Sequence, residues 1–257
     1  GNKVGLGNGP EMDIIIDPID GSRLLAFGHS GALSVLAIAP RGTMWNPPTG
    51  VYMRHLIVNR EVADLLVPQC VEAPIAWTLA LVARAKKKRV QDLVAFVLDR
   101  PRHARLIEEI RSAGARVLLR PDGDIAGAIM AASPDYVSRV DISIGTGGIM
   151  EGILSACAVK AMGGRILAKL SPQDEEENKA LKAANIEVGK IMTSEELVTS
   201  NQIYFAATAV VDGIMLSGVR FGSIEAETES LVLRAETKTR RIIHAVHPLK
   251  VKELPED

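Results

Sequence analysis

The sequence predicts an α/β fold, and three observations support this prediction. Short runs rich in β-branched residues recur between segments with helical periodicity. Residues 93–98 are apolar throughout, as in strands that a parallel sheet buries on both faces. Charged and glycine-rich motifs fall at the turns between these segments, where open α/β sheets bind their ligands.

The predicted elements follow the apolar runs along the chain. The strands are expected at residues 12–16, 32–39, 52–59, 93–98, 116–119, 140–144, 202–211 and 230–246. The helices are expected to begin near residues 74, 101, 125, 151 and 174, and the first two begin at proline, which is favoured in a first turn. We interpret the basic run at residues 86–89 as a solvated helix end, where cations meet the negative end of the helix dipole.

The composition is that of a soluble globular protein. The 257 residues, of which 47% are hydrophobic, allow one large domain or two packed lobes without a clear linker over residues 1–257. The net charge of -1 predicts no attraction to nucleic acid or to anionic membranes. Cys70 and Cys157 lack metal-type spacing and are expected to be reduced. No apolar run approaches the roughly 20 residues of a membrane helix, so we predict a cytoplasmic protein.

Asp17 and Asp20 are expected to project from one tight turn directly after an apolar strand. Their carboxylate oxygens suit Mg²⁺ or Mn²⁺. Gly21 would let a phosphate approach the backbone, and Ser22 offers a hydroxyl beside the metal. The alternative is a plain turn in which the side chains cap the backbone, and the local chemistry leaves both interpretations open.

Arg100 and Arg102 follow a predicted strand and stand at the start of a predicted helix. Forked guanidinium donors beside the free N–H groups of a helix N-terminus form a site for an anion. The alternative is that one arginine pairs with Asp99 and that the other is solvated. We interpret His103 as a structural or solvent-facing residue rather than as a general base.

Asp122 and Asp124 flank Gly123 directly after the next strand. These carboxylates would accept hydrogen bonds from sugar hydroxyls or bind a metal. Taken alone, the segment is better explained as a type I turn in which Asp124 caps the following helix.

Residues 145–152 form a glycine-rich segment that fails the dinucleotide-binding fingerprint, because Met150 occupies the position of the third glycine. We expect a turn whose glycines let the backbone approach a ligand, followed by a helix that begins near Glu151. The helix dipole stabilises a carboxylate at this position, which explains Glu151 without any ligand. A metal-binding role for Glu151 requires that the acids of the first motif lie in the same site.

Taken together and in order, these motifs resemble the class II fructose-1,6-bisphosphatases, some of which also act on sedoheptulose bisphosphate. The resemblance covers essentially the whole chain, and the matching segments include IIIDPIDGS, LDRPRH, RPDGD, GTGGIMEG and DGIMLSGVRF. It implies a layered α/β/α/β/α sugar-phosphatase fold related to the inositol monophosphatases. It also implies metal-assisted hydrolysis of the 1-phosphate of a ketose bisphosphate, with Mn²⁺ or Mg²⁺ as the cofactor.

The resemblance also implies roles for individual residues. Asp17, Asp20 and Glu151 are the implied metal ligands. Ser22 and Asp20 are the implied catalytic residues, since Ser22 stands where the family usually has a threonine that is proposed to take part in catalysis. The implied substrate-binding residues, among which the two arginines would hold the distal phosphate, are Asp20, Gly21, Ser22, Tyr52, Arg100, Pro101, Arg102, Asp122, Gly123, Asp124 and Gly148.

Two departures from the family pattern bear on this site. The family's N-terminal segment contributes further acidic metal ligands and this chain begins after them, so the set of metal ligands is expected to be incomplete. Ile149 and Met150 stand where the family typically has Ala-Pro, which would reshape the loop that presents Glu151.

Two other functions stay open. A non-catalytic sugar-phosphate-binding protein is an alternative because of the expected gap in the metal ligands. An inositol or nucleotide phosphatase is disfavoured, because those relatives carry a Trp-Asp pair whereas Trp45 and Trp77 precede Asn46 and Thr78. We expect a sugar bisphosphate as the ligand and a homo-oligomer, either a dimer or a tetramer, with no nucleic-acid or membrane partner.

Overall fold

The computed structural model describes residues 2–47, 52–134 and 137–249. Within these ranges it contains two six-stranded β-sheets and a set of helices, so the prediction of a mixed α/β fold is confirmed. The strands are β1 (Met12–Asp20), β2 (Leu33–Pro40), β3 (Tyr52–Val58), β4 (Val94–Leu98), β5 (Arg116–Arg120), β6 (Ile142–Gly148), β7 (Arg165–Leu170), β8 (Ile191–Thr193), β9 (Tyr204–Ala209), β10 (Arg220–Phe221), β11 (Glu225–Arg234) and β12 (Thr239–Pro248).

The helices are mostly short. The α-helices are α1 (Ser22–Ala26), α2 (Arg60–Ala63), α3 (Ile75–Ala85), α4 (Ala104–Ser112), α5 (Asp124–Ala132), α6 (Ile149–Ala161), α7 (Glu175–Ala183) and α8 (Ser194–Leu197). Short 3-10 helices lie at Pro68–Val71, Val90–Asp92 and Pro101–His103. No helix in the described ranges has the length and apolar character needed to cross a membrane.

The first sheet is antiparallel, in the order β1-β2-β9-β11-β10, with β12 also pairing with β11. Because side chains alternate along a strand, the sheet has two distinct faces. Leu33, Val35 and Phe205 belong to the buried face, which packs on α6. Ile14 and Ile16 belong to the opposite face, and both are exposed.

The second sheet is mixed, in the order β5-β4-β6-β3-β7-β8. β4 runs parallel to β5 and β6, and the other neighbours are antiparallel. Phe96 and Leu98 of β4 enter the core between the two sheets, whereas Ala95 and Val97 enter the core beneath α3 and α4. The prediction of a strand buried on both faces is therefore confirmed.

The layers follow the order sheet, helix, sheet, helix. α5 and α6 lie between the two sheets, and α3 and α4 cover the far side of the second sheet. Ile14, Ile16 and Ile243 on the outer face of the first sheet are exposed, so that face has no covering layer within the described residues. The fifth layer that the resemblance implies stays a prediction.

Three of the predicted boundaries are wrong. β1 continues to Asp20 and β6 continues to Gly148, although the sequence predicts turns at residues 17–22 and 145–148. Both segments are held by antiparallel pairing with a neighbouring strand, and such tertiary context outweighs local preference. Residues 230–246 are predicted as one strand-like run, but they belong to the hairpin of β11 and β12, in whose turn Lys238 has φ 51°.

The basic run after α3 is only partly the solvated helix end that the sequence predicts, because Lys87 and Arg89 are exposed but Lys86 is not. The Lys86 side chain is fully buried, and its ammonium lies 2.9 Å from Asp141 Oδ1. Lys88 contacts the same oxygen at 2.7 Å, and the backbone N–H of Val94 donates to Asp141 Oδ2 at 2.9 Å. This carboxylate therefore ties the end of α3 to the start of β4.

Replacing Asp141 with asparagine tests this buried ion pair. Asp141→Asn removes the charge that neutralises Lys86 and Lys88, so we expect the free energy of unfolding to fall by about 3 kcal/mol. The control is Asp92→Asn, which removes the partner of exposed Arg89 and should destabilise the protein far less, because solvent screens an exposed ion pair. Urea unfolding followed by circular dichroism measures both, and equal losses would contradict this account.

Candidate active site

An open cleft of about 400 Å³ lies beside the ends of β1, β4 and β6 and the start of β3. It brings together residues from all four predicted motifs, although these motifs are remote in the sequence. The cleft is lined by Asp20, Arg23, Tyr52, Leu98, Arg100, Arg102, Asp122, Asp124, Gly147, Gly148 and Glu151. Four other predicted site residues are next to these in the chain but do not line the cleft itself, namely Gly21, Ser22, Pro101 and Gly123. Asp17, three residues before Asp20, does not line it either.

A bulge in β1 turns Asp17 and Asp20 toward the same side of the first sheet. Residues three apart on a regular strand point to opposite faces. The register with β2 shifts between them, so that Asp17 is opposite Val35 and Asp20 is opposite Leu33, and both partners belong to the buried face. Pro18 is accommodated within the bulge because β1 is an edge strand.

Asp20 is a buried carboxylate among other acids. Burial raises the pKa of Asp20 well above its usual value, and the charges of Asp124, Asp17, Glu151 and Asp122 raise it further. Its Oδ2 atom is buried and has no hydrogen-bond partner in the described part of the chain. Burial also raises the pKa of Asp17 and of Glu151. A cluster of like charges favours either protonation or a nearby cation.

Two glycines at the end of β6 let carboxylates pack directly against the strand. A Cβ atom on Gly147 would lie 2.2 Å from Asp124 Oδ2, and one on Gly148 would lie 2.3 Å from Glu151 Oε2. A side chain at either position would displace the acid. The glycines therefore serve close packing within a strand, and not the turn that the sequence predicts.

Two arginines line the same cleft as these acids. Arg100 Nη2 donates to Asp122 Oδ1 at 2.5 Å, and not to the neighbouring aspartate that the alternative interpretation proposes. Arg102 Nε donates to the backbone oxygen of Thr146 at 2.8 Å, and its guanidinium lies 5.1 Å from the centre of the Tyr52 ring. Since a guanidinium has five N–H donors, both arginines keep donors for an anion.

Two buried histidines contact residues that line the cleft. His55 Nε2 is 3.6 Å from Asp124 Oδ1, which is a contact of opposite charges only when the imidazole is protonated. His103 makes two hydrogen bonds to the backbone at 2.8 Å, with Leu98 O and with the N–H of Thr146. Burial lowers the pKa of His103. Of the two interpretations of His103, the structural one is confirmed, and the solvent-facing one is wrong because the residue is buried.

Sequence reasoning misses Arg23 and His55. Arg23 lines the cleft, and its backbone N–H donates to Asp122 Oδ2 at 3.3 Å. Its position directly after Ser22 was an available signal, because it is a cation beside the acids of the first motif. His55 carries no such signal, since it stands inside a strand and meets Asp124 only through tertiary packing.

The chemistry of the cleft fits a divalent cation. Carboxylate oxygens are the donors that Mg²⁺ and Mn²⁺ prefer, and the buried oxygen of Asp20 has no partner in the described chain. Positive charge would also relieve the repulsion that raises the pKa of Asp20. Within the described ranges, however, no three Asp, Glu, His or Cys side chains are arranged to hold a metal ion by themselves. The charges of Asp17, Asp20 and Glu151 thus act on one another, but their oxygens do not surround one shared metal position.

Comparisons with known proteins relate the whole chain to one family. The model of the family described as bacterial fructose-1,6-bisphosphatase, glpX-encoded, matches residues 1–247. Fructose-1,6-bisphosphatase class 2 of Haemophilus influenzae is 36% identical over 262 residues, which cover 97% of this chain and 77% of that protein. Fructose-1,6-bisphosphatase 1 class 2 of Escherichia coli K12 is 38% identical over 270 residues, covering 98% of this chain and 77% of its own.

Replacing Asp20 with asparagine tests the repulsion in the cleft. Because the pKa of Asp20 is raised in the folded state, Asp20 stabilises the fold fully only below its unfolded-state pKa of 3.8, where it is protonated. This stabilisation is lost as the pH rises through the folded-state pKa. Asparagine stays neutral, so we expect Asp20→Asn to raise the melting temperature of the metal-free protein at neutral pH by about 4 °C. The gain should vanish as the pH falls to 3.8.

Differential scanning calorimetry in the presence of a chelator makes this measurement. Glu176→Gln is the matched control, because Glu176 is an exposed acid on α7, and it should not change the melting temperature. A melting temperature of Asp20→Asn at or below that of the wild type at neutral pH would show that the charge of Asp20 does not destabilise the folded protein.

Proposed function

This chain belongs to the bacterial fructose-1,6-bisphosphatase family, and on that premise we propose that it hydrolyses the 1-phosphate of fructose 1,6-bisphosphate. One observation carries the proposal, namely that the buried acid Asp20 shares a cleft with Arg100 and Arg102. A cluster of acids attracts cations, whereas a pair of guanidiniums attracts an anion. A substrate with two phosphates suits both, and the products are the monophosphate and inorganic phosphate.

Arg100 and Arg102 hold the distal phosphate, which does not react. Each guanidinium is already oriented by a protein acceptor, Asp122 in one case and the backbone oxygen of Thr146 in the other. Such preorganised donors lose little entropy when they bind the phosphate. Binding energy at this end of the substrate orients the reacting phosphate at the other end.

Asp20 and Glu151 form the end of the cleft that handles the reacting phosphate, and the charge of Asp17 acts on Asp20 from outside the cleft lining. When divalent ions are bound there, they supply the positive charge that polarises the phosphoryl group and lowers the pKa of the attacking water. Ser22 begins α1 directly after Gly21, and its side chain is exposed. Its hydroxyl positions or activates the nucleophile, while Asp122 and Asp124 accept hydrogen bonds from the sugar hydroxyls.

The finer assignments are part of the same proposal. The cofactor is Mn²⁺ or Mg²⁺, and residues 1–257 act as one catalytic region. Its layered architecture is related to the inositol monophosphatases, and the protein works as a cytoplasmic homo-oligomer. The near-neutral net charge of -1 supports a small phosphorylated metabolite rather than a nucleic acid as the ligand.

Phosphate release from fructose 1,6-bisphosphate in the presence of Mn²⁺ tests the proposal. Glu151→Gln removes one negative charge from the metal end of the cleft, so we expect kcat/KM to fall about 100-fold or more. Glu176→Gln on the exposed surface of α7 should leave kcat/KM unchanged. A colorimetric phosphate assay measures all three proteins.

The same assay separates the alternatives. Sedoheptulose 1,7-bisphosphate and myo-inositol 1-phosphate are the comparison substrates, and we expect turnover of bisphosphates only. Calorimetry would measure binding of fructose 1,6-bisphosphate directly. If the protein binds this sugar phosphate but releases no phosphate with Mn²⁺ or with Mg²⁺, a non-catalytic sugar-phosphate-binding protein is favoured instead. Faster release from the inositol phosphate would overturn the substrate assignment.

A further inference from the structure

The strands β4 and β6 separate where the cleft begins. In the described structure they pair at only two positions, Ala95 with Ile142 and Phe96 with Ser143. Both strands continue past this point, β4 to Leu98 and β6 through several further residues. Beyond the last pair, the backbone groups that would have formed the ladder need other partners.

The imidazole of His103 lies in the opening between these strand ends. Its Nδ1 is 2.8 Å from Leu98 O on β4, and the N–H of Thr146 on β6 donates to its Nε2 at 2.8 Å. The ring packs against Gly145, with 3.4 Å between its Cε1 and the position of a Cβ on that glycine. Because a carbonyl only accepts and an N–H only donates, these partners require the neutral tautomer with the proton on Nδ1.

Thr146 is thereby held on both sides. On one side Arg54 of β3 pairs with it in the antiparallel ladder. On the other side His103 binds its N–H and Arg102 donates to its oxygen. Two glycines and the start of α6 with Glu151 follow directly in the chain. The position of Thr146 therefore sets both the orientation of Arg102 and the approach of Glu151 to the cleft.

We propose that His103 is a positioning residue that replaces the missing strand pairing and, through Thr146, orients Arg102 toward the distal phosphate. This inference rests on the proposed function for its kinetic consequence. It does not make His103 a catalytic residue, since the ring is 2% exposed and does not line the cleft. The burial that lowers its pKa keeps the imidazole in the neutral form that both hydrogen bonds need.

Two amide substitutions separate the two hydrogen bonds. In His103→Gln the side-chain oxygen reaches the place of Nε2 and still accepts from Thr146. In His103→Asn the amide nitrogen takes the place of Nδ1 and still donates to Leu98 O, but the N–H of Thr146 loses its acceptor. We expect His103→Asn to raise KM for fructose 1,6-bisphosphate about tenfold at saturating Mn²⁺, as loss of one buried hydrogen bond allows, with kcat within about threefold.

His103→Gln should keep KM within about threefold of the wild type, because it preserves the bond to Thr146. Ile110→Val, on the buried face of α4, is a control for loss of stability alone and should leave KM unchanged. A rise in KM that is equal in the two amide variants, or equal in the Ile110→Val control, would overturn the positioning role.

Hydrogen exchange at the Thr146 amide provides a readout that does not need activity. By nuclear magnetic resonance, we expect protection of this amide in the wild type and in His103→Gln, and faster exchange in His103→Asn. Unchanged exchange in His103→Asn would overturn the inference. Absence of phosphate release by the wild type would instead overturn the proposed function, and the exchange rates would then decide the role of His103 alone.

Discussion

The cleft holds several carboxylates close enough to repel one another, and the fold has to keep them there. Asp20 bears most of this repulsion, because burial and four neighbouring acids all disfavour its charged form. Such groups stay together only where the surrounding structure holds them and where a cation or proton offsets their charge. The scaffold of two sheets therefore has to position acids against their own electrostatic preference, and the function of the cleft follows from that arrangement.

Local features at the strand ends position the acids, namely a bulge in β1 and two glycines in β6. The bulge in β1 brings Asp17 to the side of the sheet on which Asp20 lies. Glycines at the end of β6 leave room for Asp124 and Glu151 where any side chain would collide with them. Arg100 and Arg102 line the same cleft, and protein acceptors orient both before any substrate arrives. Backbone geometry thus positions the acids, whereas Arg100 is oriented by the Asp122 side chain and Arg102 by the backbone oxygen of Thr146.

What could be predicted from the sequence was set by local signals. The alternation of strands and helices, the buried strand β4 and the helix that begins near Glu151 all follow from apolar periodicity and helix-start residues. The ordered motifs also indicated which side chains would meet. The bulge in β1, the strand conformation of the glycines in β6 and the burial of Lys86 against Asp141 depend on partners remote in the chain. No local pattern encodes those partners, and for the same reason His55 was missed.

A crystal structure with Mn²⁺, with anomalous diffraction measured at the manganese edge, shows whether a cation offsets the charge of the acids in the cleft. We expect an anomalous peak in direct contact with the carboxylate of Asp20, whose Oδ2 has no other partner among the described residues. An additional phosphate or sulfate should lie against the guanidiniums of Arg100 and Arg102. Manganese bound only elsewhere, with the cleft around Asp20 empty at saturating metal, would contradict a role of Asp20 in binding a cation.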